Sequence, residues 1–313
     1  MARIMRPRLL KQFLTIARLG SMSAAARELG IAQPALSKQM LQLEHELQVK
    51  LFERHSRGVT LTKSGEKLRV EAADLIRRME GIKSAIKSDN EKITGQVVLA
   101  VITSLAPVIA SELYPRLEQE FPDISLHIVD YSSELAGHAL MRQDADLAII
   151  PSAALDLLNV ESMPLFEESF HLVSKSQNRF RTGYIKFEDA AAEPLILPFH
   201  NHDLRRRLED AARSIGVTLN VKFETGSINV ISAMVERGTV SSIVPITHWL
   251  DHIATSGISA RRISDPEIKR VHSLCWLPER KLSAAAQAVQ DMLISEIQSL
   301  IATGKLSGTL IQS

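Results

Sequence analysis

Only one of the 313 residues is cysteine, Cys275. That excludes an internal disulfide and a cysteine-built zinc cluster, and the flanking run Leu274-Cys275-Trp276-Leu277 reads as a buried strand thiol. No stretch approaches the ~20 apolar residues that a membrane-spanning helix needs. The opening run MARIMRPRLLKQFL is basic and then apolar, as an export signal would be. It lacks a long apolar core and a small-residue cleavage site, and Lys11 and Gln12 interrupt it. It is expected to form a first helix, and the single cysteine suits a reducing cytoplasm. Also missing are a glycine-rich phosphate loop, a GxSxG elbow and an HExxH pair, so neither an enzyme nor a cofactor is expected. There is no internal repeat and no low-complexity tract.

What is present is an ordinary globular composition, 45% hydrophobic and 23% charged, on a chain too long for one small domain. The charge is unevenly placed. The whole chain carries 37 Lys and Arg against 36 Asp and Glu, but residues 1–70 hold 13 of the bases and only 5 of the acids. A near-neutral protein has confined its positive charge to one end, as a duplex-binding module does.

Within that basic end, Ser21 to Leu47 (SMSAAARELGIAQPALSKQMLQLEHEL) holds two short helical patterns that meet at Gly30. Ser21 or Ser23 can cap the first, and Gly30 suits the left-handed residue that ends a helix. Pro34 fits the first turn of the second helix, where a missing N–H costs nothing. There Leu36, Met40, Leu43 and Leu47 recur at steps of 4, 3 and 4 and form one buried stripe. Pro34, Ala35, Lys38 and Gln42 share the opposite face, flanked by Gln33 and Ser37. Small residues, a tight glycine turn and an outward polar and basic face describe a helix-turn-helix. Two short extended runs on either side of Ser56 to Gly58 then suggest a β-wing, with Arg54 and Arg57 placed to meet phosphate or a minor groove.

Residues 9–66 resemble the N-terminal domain of LysR-type transcriptional regulators. The match runs through Phe13, Gly20-Ser21, Ala24-Ala25-Ala26, Leu29, Gln33-Pro34-Ala35-Leu36-Ser37, Leu43-Glu44, Leu47, Leu51-Phe52-Glu53-Arg54, Leu61-Thr62 and Gly65. Lys38 stands where the family often has arginine; it keeps the charge but loses the planar fork suited to guanine. The expected DNA contacts are Ser23, Gln33, Pro34, Ala35, Ser37, Lys38, Gln42, Arg54 and Arg57, on a double-stranded promoter site.

Thr62 opens a long helix to about Lys87. Leu68, Ala72, Leu75, Met79, Ile82 and Ile86 recur along it at steps of 4, 3, 4, 3 and 4, a heptad seam that predicts pairing of two copies. In the family this segment resembles the linker helix of the dimer, and the resemblance implies a dimer or tetramer. After the polar run Ser88 to Gly95 the pattern changes to strands alternating with helices, which predicts parallel strands with crossover helices. This part resembles the LysR effector-binding domain, built of two lobes like a periplasmic solute-binding protein. The resemblance implies that the chain crosses to the second lobe near Pro164 and returns near Ile268. The fold class expected is α/β with an all-α, winged helix-turn-helix N-terminal domain. The parts run from 5 to 62 for that domain, 63 to 90 for the linker helix, and 91 to 313 for the two-lobed effector domain.

Parallel α/β lobes bind ligands beyond the carboxyl ends of their strands, where helix N-termini offer free N–H groups. Three strand-to-helix junctions qualify: Thr103-Ser104, Ser132-Ser133, and Thr225-Gly226-Ser227. A fourth polar cluster is His200-Asn201-His202 with Arg205. Each hydroxyl taken singly also reads as a plain helix cap. Taken together they describe a cleft for a small polar or anionic effector, and the matching positions in the family line its pocket. His200 and His202 lack a third ligand, so no metal is expected. Two other classes compete: a small-molecule-binding protein that uses only the two-lobed half, and an enzyme with an incidental basic head.

Overall fold

The computed structural model describes residues 6–55, 58–87, 93–151, 160–175, 183–278 and 282–311. The chain divides into two compact units, Met1–Gly95 and Gln96–Ser313.

The first unit contains α1 (Pro7–Leu19), α2 (Met22–Glu28), α3 (Gln33–Leu47), β1 (Phe52–His55), β2 (Gly58–Leu61) and α4 (Lys63–Lys87). Leu10, Phe13 and Ile16 of α1 bury against Ala25 and Ala26 of α2 and Leu36, Met40 and Leu43 of α3. The alanines let the helices approach closely. Ser21, not Ser23, caps α2, accepting the Ala24 N–H at 3.3 Å. Gly30 takes the left-handed conformation, φ 64°, that turns the chain toward α3. β1 and β2 pair antiparallel as the expected wing. The start of the wing is pinned by Glu44, which is buried in α3 and accepts the N–H groups of Leu51 at 2.7 Å and Phe52 at 3.2 Å. Gly65 must be glycine, because a Cβ there would stand 2.2 Å from the Leu51 carbonyl oxygen.

α4 starts at a Thr62 cap, whose hydroxyl accepts the Gly65 N–H at 3.0 Å. Its inner face is Ala72 and Ile76, buried in the same core. Leu75 faces away and is 41% exposed, and Met79 is half-buried. The seam expected from Leu68 to Ile86 is therefore divided. Ala72 serves the unit's own core, Leu75 faces outward, and the side chains of Ile82 and Ile86 lie outside the described residues.

The second unit contains β3 (Gly95–Ile102), α5 (Ala106–Glu120), β4 (Ile124–Tyr131), α6 (Ser133–Met141), β5 (Leu147–Pro151), β6 (Glu161–Lys175), β7 (Tyr184–Lys186), α7 (Phe187–Ala192), β8 (Leu195–Leu197), α8 (Asp203–Ile215), β9 (Val221–Glu224), α9 (Ile228–Glu236), β10 (Ser242–Pro245), α10 (Leu250–Thr255), β11 (Ile258–Ser264), β12 (Lys269–Trp276), α11 (Ala284–Ala302) and β13 (Thr309–Leu310). Two lobes share the long strand β6. Its first part, to Ser169, pairs with β12 on one side and β13 on the other, within the order β4-β3-β5-β12-β6. From Phe170 on, the same strand pairs with β10 and β11. The second lobe is completed by β7 beside β11, and by β8 and β9, which a bridge between Leu195 and Ser241 joins to the β10 edge.

The crossing thus falls at Ser169/Phe170, a few residues beyond Pro164, and the return runs through a cis Asp265-Pro266 bond into β12. β3 and β5 are parallel, as the alternation predicts. β6, β10, β11 and β12 pair antiparallel, because β6 and β12 carry the chain between the lobes in opposite directions. The first lobe packs Ala100, Ala136, Leu140 and Ala148 together, and the second packs Phe170, Phe187, Leu208 and Trp249. Among the described residues no helix is long and apolar enough to cross a membrane.

Candidate functional site

On the outer face of α3, Gln33, Pro34, Ala35, Lys38 and Gln42 are exposed, and Ser37 is half-buried. The stripe Leu36, Met40 and Leu43 is buried behind them, so the polar face is held out by the packing of the apolar one. Ser23 is exposed on α2. Arg54 extends from the wing and donates its Nη2 to the Ser37 hydroxyl at 3.1 Å, which ties wing and helix into one basic surface. Arg57 lies outside the described residues. Gln42 donates one amide N–H to Glu46 at 3.1 Å.

In the second unit a cavity of about 360 Å³ opens between the lobes. From the first lobe it is lined by Thr103, Ser104, Tyr131, Ser132 and Ser133, where β3 and β4 end. From the second it is lined by Pro198, His202, Gly226, Ser227 and Asn229 at the ends of β8 and β9, and Val244 and Pro245 of β10 close one wall. Ser132 caps α6 by accepting the Leu135 N–H at 3.4 Å, and Ser227 caps α9 by accepting that of Val230, also at 3.4 Å. Ser104 differs. α5 starts one residue later, at a Leu105 cap with no side-chain bond, so the Ser104 hydroxyl is not a helix cap. Thr103 donates only weakly, to the Tyr131 carbonyl at 3.4 Å.

His202 caps α8, its Nδ1 accepting the Leu204 N–H at 3.2 Å, and burial and Arg270 hold it below its ordinary pKa. The other members of its cluster are elsewhere. His200, Asn201, Arg205 and Thr225 do not border the cavity, which corrects the expectation that all four clusters describe one cleft. Arg205 is buried with Nε on Glu209 and Nη1 on Glu224, both at 2.8 Å. His200 sits exposed over the same two carboxylates, 2.7 Å from Glu209 and 3.4 Å from Glu224. Spacing along the chain placed these residues near the cleft, but Arg205 and His200 turn to Glu209 of α8 and Glu224 of β9 instead. Thr225 braces the turn instead, accepting the Ser227 N–H at 3.2 Å.

Residues 7–66 match the bacterial regulatory helix-turn-helix of the lysR family, and residues 90–298 match the LysR substrate binding domain. The chain belongs to the LysR family of transcriptional regulators. A relative along nearly the whole length is the nitrogen assimilation regulatory protein nac of Escherichia coli, 29% identical over 293 residues, covering 93% of this chain and 95% of that protein. Among solved structures, a full-length OxyR variant from Pseudomonas aeruginosa superposes with a TM-score of 0.72 at 24% identity, covering 94% of this chain and 95% of that one. CbnR in complex with its target DNA superposes with a TM-score of 0.62 at 20% identity, covering 94% and 99%.

This LysR regulator holds one site feature that spacing could not show. Arg270 of β12 borders the cavity, and behind it in the core Glu168 of β6 meets Arg270 and His272 of β12. Glu168 Oε1 accepts from Arg270 Nε at 2.5 Å and from His272 Nε2 at 2.6 Å, and all three residues are buried. Burial acts to raise the Glu168 pKa, but Arg270 and His272 outweigh it and bring the carboxyl to about 2. Burial pushes His272 below its ordinary value, so at neutral pH the ring is uncharged and Nε2 carries the proton. Phe166 stacks on His272 with centroids 4.6 Å apart. No motif links Glu168 to residues 102 and 104 positions away; only the β6–β12 register, which pairs Glu168 with Arg270, does so. Cys275 is buried in β12 as expected, and burial pushes its thiol up to about 12. Among the described residues no group of histidine, cysteine, aspartate and glutamate is placed to hold a metal.

Proposed function

We propose that this chain is a LysR-type regulator controlled by a small polar or anionic effector held between the two lobes of its second unit. The α3 face, with Lys38 and Gln42 foremost, reads base edges in the major groove while Arg54 grips the backbone. Two copies join through the outward face of α4 around Leu75, as a dimer and then a tetramer on a dyad-symmetric promoter site. The working compartment is the cytoplasm, and the task is binding rather than catalysis. A ligand bound better with the lobes in one arrangement favours that arrangement, and the DNA-binding heads follow.

One observation carries the effector reading. Ser104 and Thr103 lie on the cavity with hydroxyls that no helix needs as caps, opposite Ser227 and His202 of the other lobe. A thiol-based sensing mechanism finds no support, since a buried thiol with a pKa of about 12 supplies almost no thiolate. The test pairs a gel shift on a promoter fragment with an effector titration of a reporter. Ser104→Ala is expected to raise the effector concentration for half response roughly tenfold to hundredfold, the ~1.5–3 kcal/mol of a hydrogen bond to a charged group. Its effector-free affinity for DNA should match wild type. A midpoint that stays put removes Ser104 from the site.

A further inference from the structure

The reading of the cavity as an effector site leaves the effector's chemistry open, and Arg270 narrows it. This residue lines the cavity yet is only 4% exposed. Its Nε is engaged by Glu168. Its two terminal nitrogens donate to no protein acceptor among the described residues, and the guanidinium rests 5.9 Å over the Phe170 ring. A buried guanidinium half-satisfied on one edge and bordering a cavity on the other is costly unless something completes it. We propose that Arg270 is the anchor for a carboxylate and that the effector of this regulator is a small organic monocarboxylate. This rests on the cavity being the effector site.

Three features favour that class. The open edge of a guanidinium presents parallel N–H donors that match the two oxygens of a carboxylate. The local charge limits the ligand: Glu168 cancels Arg270 and His272 is neutral, so a single negative charge is tolerated far better than the two of a phosphate monoester. The nine-residue helices α6 and α9 both begin on the cavity, at Ser133 and Ile228, and direct their positive ends toward it. The remaining wall, with Ile231, Val244 and Pro245, suits the apolar body of an organic acid rather than a bare inorganic ion.

A purely structural Arg270, present only to balance Glu168, makes the opposite prediction for the double variant. Glu168→Gln/Arg270→Gln removes both charges together and leaves no buried ion unpaired. The probe is trifluoroacetate, followed by fluorine NMR line broadening on the full chain, with trifluoroacetamide as the neutral match. Wild type is expected to broaden the trifluoroacetate line saturably and leave the amide line unchanged. The double variant, with folding checked by circular dichroism, should weaken trifluoroacetate at least tenfold. Arg270→Lys, which keeps the charge and loses the fork, should weaken it several-fold and serves if the double variant does not fold. Absence of saturable broadening in wild type overturns the proposal, as does wild-type affinity in the double variant. If Ser104→Ala loses the probe while the double variant keeps it, the cavity stands as the site without Arg270 as anchor. If neither loses it, the cavity reading falls as well.

Discussion

Single residues here act through partners far away in sequence, and the cluster under the cavity has a consequence for acid stability. Glu168 titrates at about 2 in the folded chain against an ordinary 4.5, so its stabilisation is complete above 4.5 and is lost as pH falls from there toward 2. His272 is depressed below 6.5; the unfolded chain therefore takes up that proton first, and stability starts to fall as pH drops below 6.5. Both act in the same direction. The melting temperature is expected to decline from pH 6.5 downward and more steeply below 4.5, with His272→Gln flattening the first part. Identical slopes for wild type and His272→Gln between these two values would show that His272 does not contribute. On the proposed DNA face the roles are expected to separate by chemistry. Lys38→Ala should weaken the cognate site more than random DNA, whereas Arg54→Ala should weaken both and lower the salt slope by about 1. Equal losses on both DNAs for Lys38→Ala would remove it from base readout.

At the scale of elements, α3 and α4 each serve two masters on opposite faces. α3 buries Leu36, Met40 and Leu43 to hold out Lys38 and Gln42. Leu36→Ala should therefore cost roughly 2–5 kcal/mol of head stability, read by thermal melting, while Lys38→Ala stays within about 0.5 kcal/mol of wild type. α4 gives Ala72 and Ile76 to the core and leaves Leu75 outside. Leu75→Asp is thus expected to dissociate the oligomer without unfolding the head, because the charge is buried only when a second copy covers it. Light scattering that shows an intact oligomer for this variant would place the seam elsewhere. The heptad reading found the helix and its apolar positions, but could not say which served the core, since steps of three and four both lie on one broad face.

Across the whole molecule, binding at the cavity and binding at the α3 face must be linked if the effector regulates transcription. A change in DNA affinity on adding effector then requires an equal factor in effector affinity on adding promoter DNA. The two titrations are expected to agree, with a factor of about 5 to 150 typical of such coupling. No change in either would separate the cavity from regulation. The long strand β6 enters both lobes and sets Glu168 beside Arg270 of β12.

The family, the helix-turn-helix, the wing and the alternation of strands and helices were all legible along the chain, because they rest on local periodicity, caps and glycine turns. That Thr103, Ser104, Ser132, Ser133, His202 and Ser227 border one cavity was legible too, since strand ends and helix starts are adjacent in sequence. Tertiary structure alone decided the rest. Arg205 and His200 do not line the cavity; they pair with Glu209 and Glu224, on α8 and β9. Ser104 proved not to be a cap because α5 begins at Ala106. Arg270 meets Glu168 beside the cavity because β6 and β12 pair in one register, and a contact across 102 residues is set by strand pairing and burial, which no local pattern encodes.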